Sequence, residues 1–460
     1  MSNPADPAAF GKKRILIFTV GSRGDTQPYC ALALALAARG HQVVVATERR
    51  LHPLCAELGV PALELGGDST GVLFEPSAQD ALARGSMWDL MGITKEWDKK
   101  FDKQAILDSY VAAATEFNPD LIVGAGLTLT QAMCVAELRR VPFLSMILGP
   151  TLPTRDFPFW PLKPIACCSA LNRWTFNVGF KALWGQESEF IQPWRRRIGL
   201  QPLECDEGIA AYLDARAWPV LIACSPLMCG PKRQVPSDYP SYAHVPGFLF
   251  VAPTPEEQID REVREWVELK SNLPLVYLGF GSMPAPDPSR LLRIGLDVCR
   301  AANCRAIMLA GWTDLSNAAC AALIEEGRAS GIMRVFKSAP HDWLLPKCAV
   351  NVHHCGVGTV AAALRAGRPQ VPCPFMLDQP HNAQLVVDLG CAPCIVPFDE
   401  AITAAALGAA VLRALAPGAE GDAMRRAAVE YGEQVQDEFA TASTKFCEII
   451  ELHATTKPSY

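Results

Sequence analysis

Apolar residues in this chain come in short runs of four to six, each closed by turn-forming residues and followed by an alanine- and leucine-rich stretch with helical spacing. The first run, Ile15-Leu16-Ile17-Phe18 within residues 13–20, predicts a buried parallel strand. It leads through Gly21-Ser22-Arg23-Gly24-Asp25-Thr26-Gln27 to Pro28, a good helix starter, and a helix reaching Gly40. Further strands are predicted at residues 42–46, 120–125, 142–147 and 219–224, the last closing the first half. The alternation restarts with strands at 275–280, 305–309, 333–336, 349–352 and 370–373, and a helix over 422–452. Alternating strands and helices imply α/β architecture with parallel sheets, whose ligand loops lie at the carboxyl ends of the strands. The expectation is two similar Rossmann-like, doubly wound domains facing one another across a cleft. Their predicted bounds are 1–235 and 259–430, with a proline-rich linker at 236–258 and a C-terminal helix at 431–460 packing back on the first domain. Residues 66–103 read as irregular and carry Met87, Trp88, Met91 and Trp97. Residues 150–164 read as a long aromatic loop with Thr154, Phe157, Phe159 and Trp160, either a binding loop or a plug on its own core.

Composition narrows the class. Hydrophobic residues make up 50% and charged residues 20% of 460 positions, a globular balance long enough for two domains. A net charge of −6 offers no footprint for nucleic acid. No apolar run reaches the roughly 18 residues of a membrane span, and the first one is too short for a signal-peptide core. A cytoplasmic protein with reduced thiols is expected. Most of the 17 cysteines sit inside apolar runs, where they read as small hydrophobes, and the one C-x-x-C, Cys391-Ala392-Pro393-Cys394, lacks a second pair. Trp194-Arg195-Arg196-Arg197 reads as a solvated helix end.

The most informative turn is His353-His354-Cys355-Gly356-Val357-Gly358-Thr359, between the strand at 349–352 and a helix from Val360 to Ala366 closed by Gly367. A helix N-terminus there offers unpaired N–H groups and a partial positive charge, which suit an anion. The fragment also fits the G-x-G-x-x-A dinucleotide fingerprint, so an NAD(P)-dependent oxidoreductase competes. Against it, prolines and a loop intervene before Asp378, and histidines ahead of the glycines have no role at a nicotinamide. Asp378-Gln379-Pro380 offers a carboxylate and an amide suited to sugar hydroxyls, or alternatively an N-cap. Asp25 is a candidate base or a turn residue ahead of Pro28.

Taken together these stretches resemble the family 1 inverting glycosyltransferases of the two-Rossmann-domain, GT-B type, in particular the sterol 3-beta-glucosyltransferase branch. The resemblance is carried by Gly21-Ser22-Arg23-Gly24-Asp25, Pro153-Thr154-Arg155-Asp156-Phe157-Pro158, Gly279-Phe280-Gly281-Ser282, Pro340-His341-Asp342-Trp343-Leu344, the His353–Thr359 turn and residues 375–380. It implies glucose transfer from UDP-glucose to a hydroxyl of a lipophilic acceptor (sterol, triterpenoid, flavonoid or polyketide), in one in-line displacement without cofactor or metal. The implied base is Asp25. The implied donor contacts are Ser22, Gly24, Ser282, Ser338, Ala339, His341, His354, Gly356, Val357, Gly358, Thr359, Asp378 and Gln379. The acceptor is expected at Met87, Trp88, Met91, Thr154, Phe157, Phe159 and Trp160. Ala362 stands where plant members keep a ribose-binding Glu. Peripheral membrane contact stays open, as does a third reading, nucleotide-sugar binding without catalysis.

Overall fold

A computed structural model describes residues 11–84, 86–159, 162, 169–205, 208–281, 285, 287–398 and 402–457. Among the described residues, twelve strands form two wholly parallel sheets. The first has the order β3-β2-β1-β4-β5-β6-β7, from β1 (Arg14–Phe18), β2 (Gln42–Glu48), β3 (Ala62–Leu65), β4 (Leu121–Ala125), β5 (Phe143–Ile147), β6 (Val220–Ile222) and β7 (Ala243–His244). The second has the order β10-β9-β8-β11-β12, from β8 (Leu275–Gly279), β9 (Arg305–Leu309), β10 (Met333–Phe336), β11 (Val350–His353) and β12 (Gln370–Pro372). The order turns at β1–β4 in one sheet and at β8–β11 in the other, the positions where doubly wound sheets open a crevice.

The central strands are continuous apolar runs because helices cover both faces. Ile15 and Ile17 face one cluster with Leu32, Leu36 and Val123, and Leu16 and Phe18 face the other with Met133, Tyr110 and Phe143. The second sheet divides in the same way, with Val276 and Leu278 on one face and Tyr277 on the other.

The chain forms two compact units. One comprises Met1–Thr70, Asp98–Val251 and Glu438–Tyr460; the other comprises Gly71–Trp97 and Ala252–Asp437. The helix Ala419–His453 thus begins in the second unit and ends in the first. In the first unit Glu451, 2% exposed, accepts from Arg39 at 2.7 Å and meets His41 Nε2 at 3.0 Å.

Several expectations change. The first helix starts at Arg23, not Pro28, because Ser22 and Asp25 form a capping box and Pro28 is accommodated inside it. β6 is not the last strand of its sheet: two residues at Ala243–His244 add an edge, too short to leave a pattern. β3 was also absent from the pattern. Residues 66–103 are not irregular but hold the helices Pro76–Ala83 and Met87–Asp98. Residues 71–97, read from sequence within the first domain, group with the second unit. Arg195 is no solvated helix end; it is 1% exposed and pairs with Glu137 at 2.8 Å. The described cysteines are free and, apart from Cys394, buried, including Cys355.

Candidate active site

In the first unit the candidate chemistry sits on the turn after β1. Ser22 is the extended N-cap of the helix Arg23–Ala38, and Asp25 is its third residue. Asp25 Oδ2 accepts from the Ser22 backbone N–H at 2.7 Å and from Ser22 Oγ at 2.8 Å. Oδ1 has no partner among the described residues. Gly21, at φ +120°, makes this possible: a Cβ there would lie 2.6 Å from Asp25 Oδ2. Burial pushes the Asp25 carboxyl up; the two Ser22 hydrogen bonds oppose it, and the net direction is upward. Asp25 is therefore a capping residue with one oxygen and an available, proton-affine carboxylate with the other.

In the second unit three turns leave the same sheet edge, since His353 pairs with Gly279 on one side and Pro372 on the other. The two histidines after β11 divide the work. His353 is fully buried; its Nε2 lies 2.8 Å from Gln370 Oε1 and its Nδ1 accepts from Cys355 N at 3.2 Å. It is a satisfied structural histidine, held at a pKa of about 4 chiefly by burial. His354 is 8% exposed, and its Nδ1 has no hydrogen-bond partner among the described residues. Burial, then the neighbouring His353 and His341, hold it down at about 3, so the ring is neutral. Two glycines make room for it: a Cβ on Gly281 would lie 2.4 Å from its Cε1, and one on Gly356 would lie 2.6 Å from its Nε2.

Gly356 is the N-cap of the helix Val357–Arg365, with no side chain capping it. The Thr359 amide already donates to Gly356 O at 2.9 Å, whereas those of Val357 and Gly358 have no backbone acceptor among the described residues. The helix N-terminus and the unpartnered imidazole nitrogen thus belong to one short turn. Cys355 at φ +66° and Leu377 at φ +56° are non-glycine residues in the left-handed region, one in this turn and one in the next. Such strain costs about 1–2 kcal/mol per residue and persists where surroundings over-determine it.

The surroundings are visible. Asn382 Nδ2 donates to Cys355 O at 3.0 Å and to Asp378 Oδ2 at 2.8 Å, tying the two turns together. Gln379 Oε1 accepts from Phe375 N at 2.8 Å and Met376 N at 3.3 Å, so its carboxamide oxygen is committed to the turn and only its nitrogen remains for a ligand. Sequence reasoning missed Asn382; its i+4 spacing from Asp378 was the only signal. His341 Nε2 lies 2.9 Å from Tyr277 Oη, against which Gly279 packs without room for a Cβ. Ser338 is exposed, and Ala339 packs beside that cluster.

The expected acceptor residues behave differently. Thr154 is buried and donates to Asp238 Oδ1 at 2.6 Å. Phe157 is 2% exposed; it and Phe159 pack on Phe176 of the helix Ser169–Arg197, with ring centroids 6.2 and 5.6 Å away. Neither Thr154 nor Phe157 presents a surface. Met87, Trp88 and Met91 fall on the helix Met87–Asp98, but their side chains lie outside the described residues, as do Trp160 and Ser282. That segment packs through Val72, Ala78, Ala81, Leu82 and Leu90 onto Met376, and Phe74 meets Trp312 at 5.6 Å. Nothing in the sequence pattern pointed to this attachment beside Asp378.

Comparison with known proteins agrees with this architecture. Residues 15–158 match the glycosyltransferase family 28 N-terminal domain, and residues 323–444 match the erythromycin biosynthesis protein CIII-like C-terminal domain. The O-mycaminosyltylonolide 6-deoxyallosyltransferase of Streptomyces fradiae is 31% identical over 96% of this chain and 98% of its own. The sterol 3-beta-glucosyltransferase of Emericella nidulans is 26% identical over 96% of this chain, which spans only 30% of that longer protein. The crystal structure of the glycosyltransferase of kitacinnamycin superposes with a TM-score of 0.67 at 19% identity, covering 97% of this chain and 100% of its own. The two units have the GT-B fold. The chain belongs to the family 1 glycosyltransferases, with its resemblance to the sterol glucosyltransferase branch. Among the described residues no helix is long and apolar enough to cross a membrane.

Proposed function

We propose that this chain transfers glucose from UDP-glucose to a hydroxyl of a lipophilic acceptor, with inversion and without metal. The observation that carries the reading is His354 Nδ1, buried and without a partner among the described residues, in the turn that opens a helix with no side-chain cap. A buried ring nitrogen without a partner costs about 1–3 kcal/mol. A diphosphate oxygen would satisfy it, together with the Val357 and Gly358 amides and the Thr359 hydroxyl. The same groups would stabilise the charge that builds on the departing diphosphate. Asp378 and the Gln379 amide nitrogen would hold sugar hydroxyls, and the 338–341 loop would lie against the base. In the first unit, Oδ1 of Asp25 would take the acceptor proton, and a raised pKa brings a carboxylate closer to the strength such a base requires. Acceptors of the sterol or macrolide kind are supported by the names of the relatives above.

The nicotinamide reading is not favoured, since it gives no use to the His354 ring for which Gly281 and Gly356 make room. Calorimetric titration with UDP, UDP-glucose and NADP, with and without magnesium, tests the proposal. Magnesium-independent UDP binding is expected; NADP binding without UDP binding would overturn it.

A further inference from the structure

Residues 71–97 attach to the sheet edge of the second unit at two places. At the first, Phe74 meets Trp312, with ring centroids 5.6 Å apart. Trp312 follows β9 and Gly311, and that turn is pressed against the turn after β8: a Cβ on Gly311 would run into Gly281 O. Gly281 is the residue that makes room for the His354 ring. Thr313 Oγ1 holds the same loop again, accepting from Ala285 N at 3.1 Å. At the second place the helix Pro76–Ala83 buries Ala78, Ala81 and Leu82, at i, i+3 and i+4. These residues form one cluster with Val72, Leu90 and Met376, and Phe375 packs against it. Phe375 and Met376 lead into Asp378, and their amides are already held by Gln379.

Sheet order gives these two anchors a meaning. β9 and β12 stand on opposite sides of the β8–β11 pair. At about 4.8 Å per strand they are about 14 Å apart, and an eight-residue helix is about 12 Å long. A segment held at the ends of β9 and β12 therefore passes the ends of β8 and β11, where Gly281, His354 and the helix opening at Val357 lie. Packing accounts for the buried residues of the segment. It does not account for Phe74, which stays 38% exposed against a half-buried Trp312.

We propose that residues 71–97 form a strap across the mouth of the His354 turn, clasped by Phe74 on Trp312, which retains a bound nucleotide sugar and slows its release. The inference rests on the donor reading of that turn. A ligand in the turn is enclosed between the sheet edge and the strap. Release requires the clasp to part, while the Met376 cluster stays attached and serves as the hinge side. An aromatic pair left partly in water is weak enough to open and close repeatedly, as a gate must. Removing the clasp leaves every group that would hold the diphosphate in place.

The test is stopped-flow release of a fluorescent UDP derivative from the full-length protein, chased with excess UDP. Phe74→Ala should speed release roughly two- to tenfold, the worth of one aromatic pair. Phe74→Tyr should restore the parent rate. Trp312→Leu should accelerate release as Phe74→Ala does, and the double variant no further, because both remove one contact. Unchanged release in folded Phe74→Ala overturns the strap, as do effects of the two substitutions that simply add. A raised acceptor KM with unchanged UDP release overturns it too, since the segment would then serve the acceptor. Phe74→Leu substitutes if the alanine variant does not fold, with the same outcomes. Failure of the parent to bind UDP would remove the donor reading and the strap with it, whereas normal binding with unchanged release removes the strap alone.

Discussion

The turn after β1 and the turn after β11 are built alike and finished in opposite ways. Each follows a central strand of a parallel sheet, opens a helix, and uses a glycine to admit a side chain closer than a Cβ would allow. In the first turn the helix N-terminus is filled by its own carboxylate, Asp25, bonded to Ser22. In the second no side chain caps the helix, and the buried Nδ1 of the neighbouring His354 has no partner among the described residues. A helix end neutralised from within has little left for an external anion; an open one does. The same local motif therefore yields a candidate proton acceptor in one unit and a candidate anion cradle in the other.

The largest effect should come from Asp25→Asn. Transfer should fall by roughly 10²–10⁴-fold, the usual worth of a general base, with UDP affinity retained. Equal loss of UDP binding would break the division of labour between the turns. His354→Ala should do the reverse, weakening UDP binding by roughly ten- to a hundredfold through loss of a hydrogen bond to a charged group worth about 1.5–3 kcal/mol. Calorimetry on the two variants side by side reads both.

pH separates the turns with opposite signs. Asp25 has a raised folded pKa, so between the unfolded value near 3.8 and the folded one the native state binds the extra proton, and stability falls as pH rises through that window. Asp25→Asn should consequently melt slightly higher than the parent at pH 8, with the gap closing towards pH 4. His354 is depressed to about 3 from 6.5, so its contribution is intact above 6.5 and is lost as pH falls towards 3. His354→Ala should therefore lose less melting temperature than the parent between pH 7 and 5. Identical pH profiles for parent and both variants would show that neither group is buried as described. The smallest effect concerns strain: Leu377→Gly should relieve a left-handed residue, partly offset by glycine's added unfolded-state freedom and by loss of the half-buried side chain, raising stability by less than about 1 kcal/mol in denaturant titration. A loss instead would show that the Leu377 side chain holds the Asp378 turn.

The strand at 305–309 was legible to the residue because it is buried on two faces and closed by turn formers, and the edge strand at 333–336, of which only Met333 is buried, because turn formers bound it on both sides. The start of the first helix was not, since Pro28 is a stronger local signal than the Ser22–Asp25 capping box that wins. Asp25, His354 and Asp378 could be singled out because βα turns at strand ends concentrate chemistry-bearing residues within a few positions. Thr154 and Phe157 could not be resolved from sequence, as an aromatic loop looks the same whether it faces a ligand or a helix.

The sequence by itself determined the alternation, the parallel sheets, the glycine turns and the family, all of which depend on residues within about thirty positions of one another. Only the tertiary structure decided which of two adjacent histidines is satisfied, since that depends on Gln370 in the neighbouring strand. It also decided that residues 71–97 pack beside Met376, that Asn382 joins two turns, and that the buried Glu48 is bonded by Ser69. Each is a contact set by strand order and register, and no local pattern encodes those.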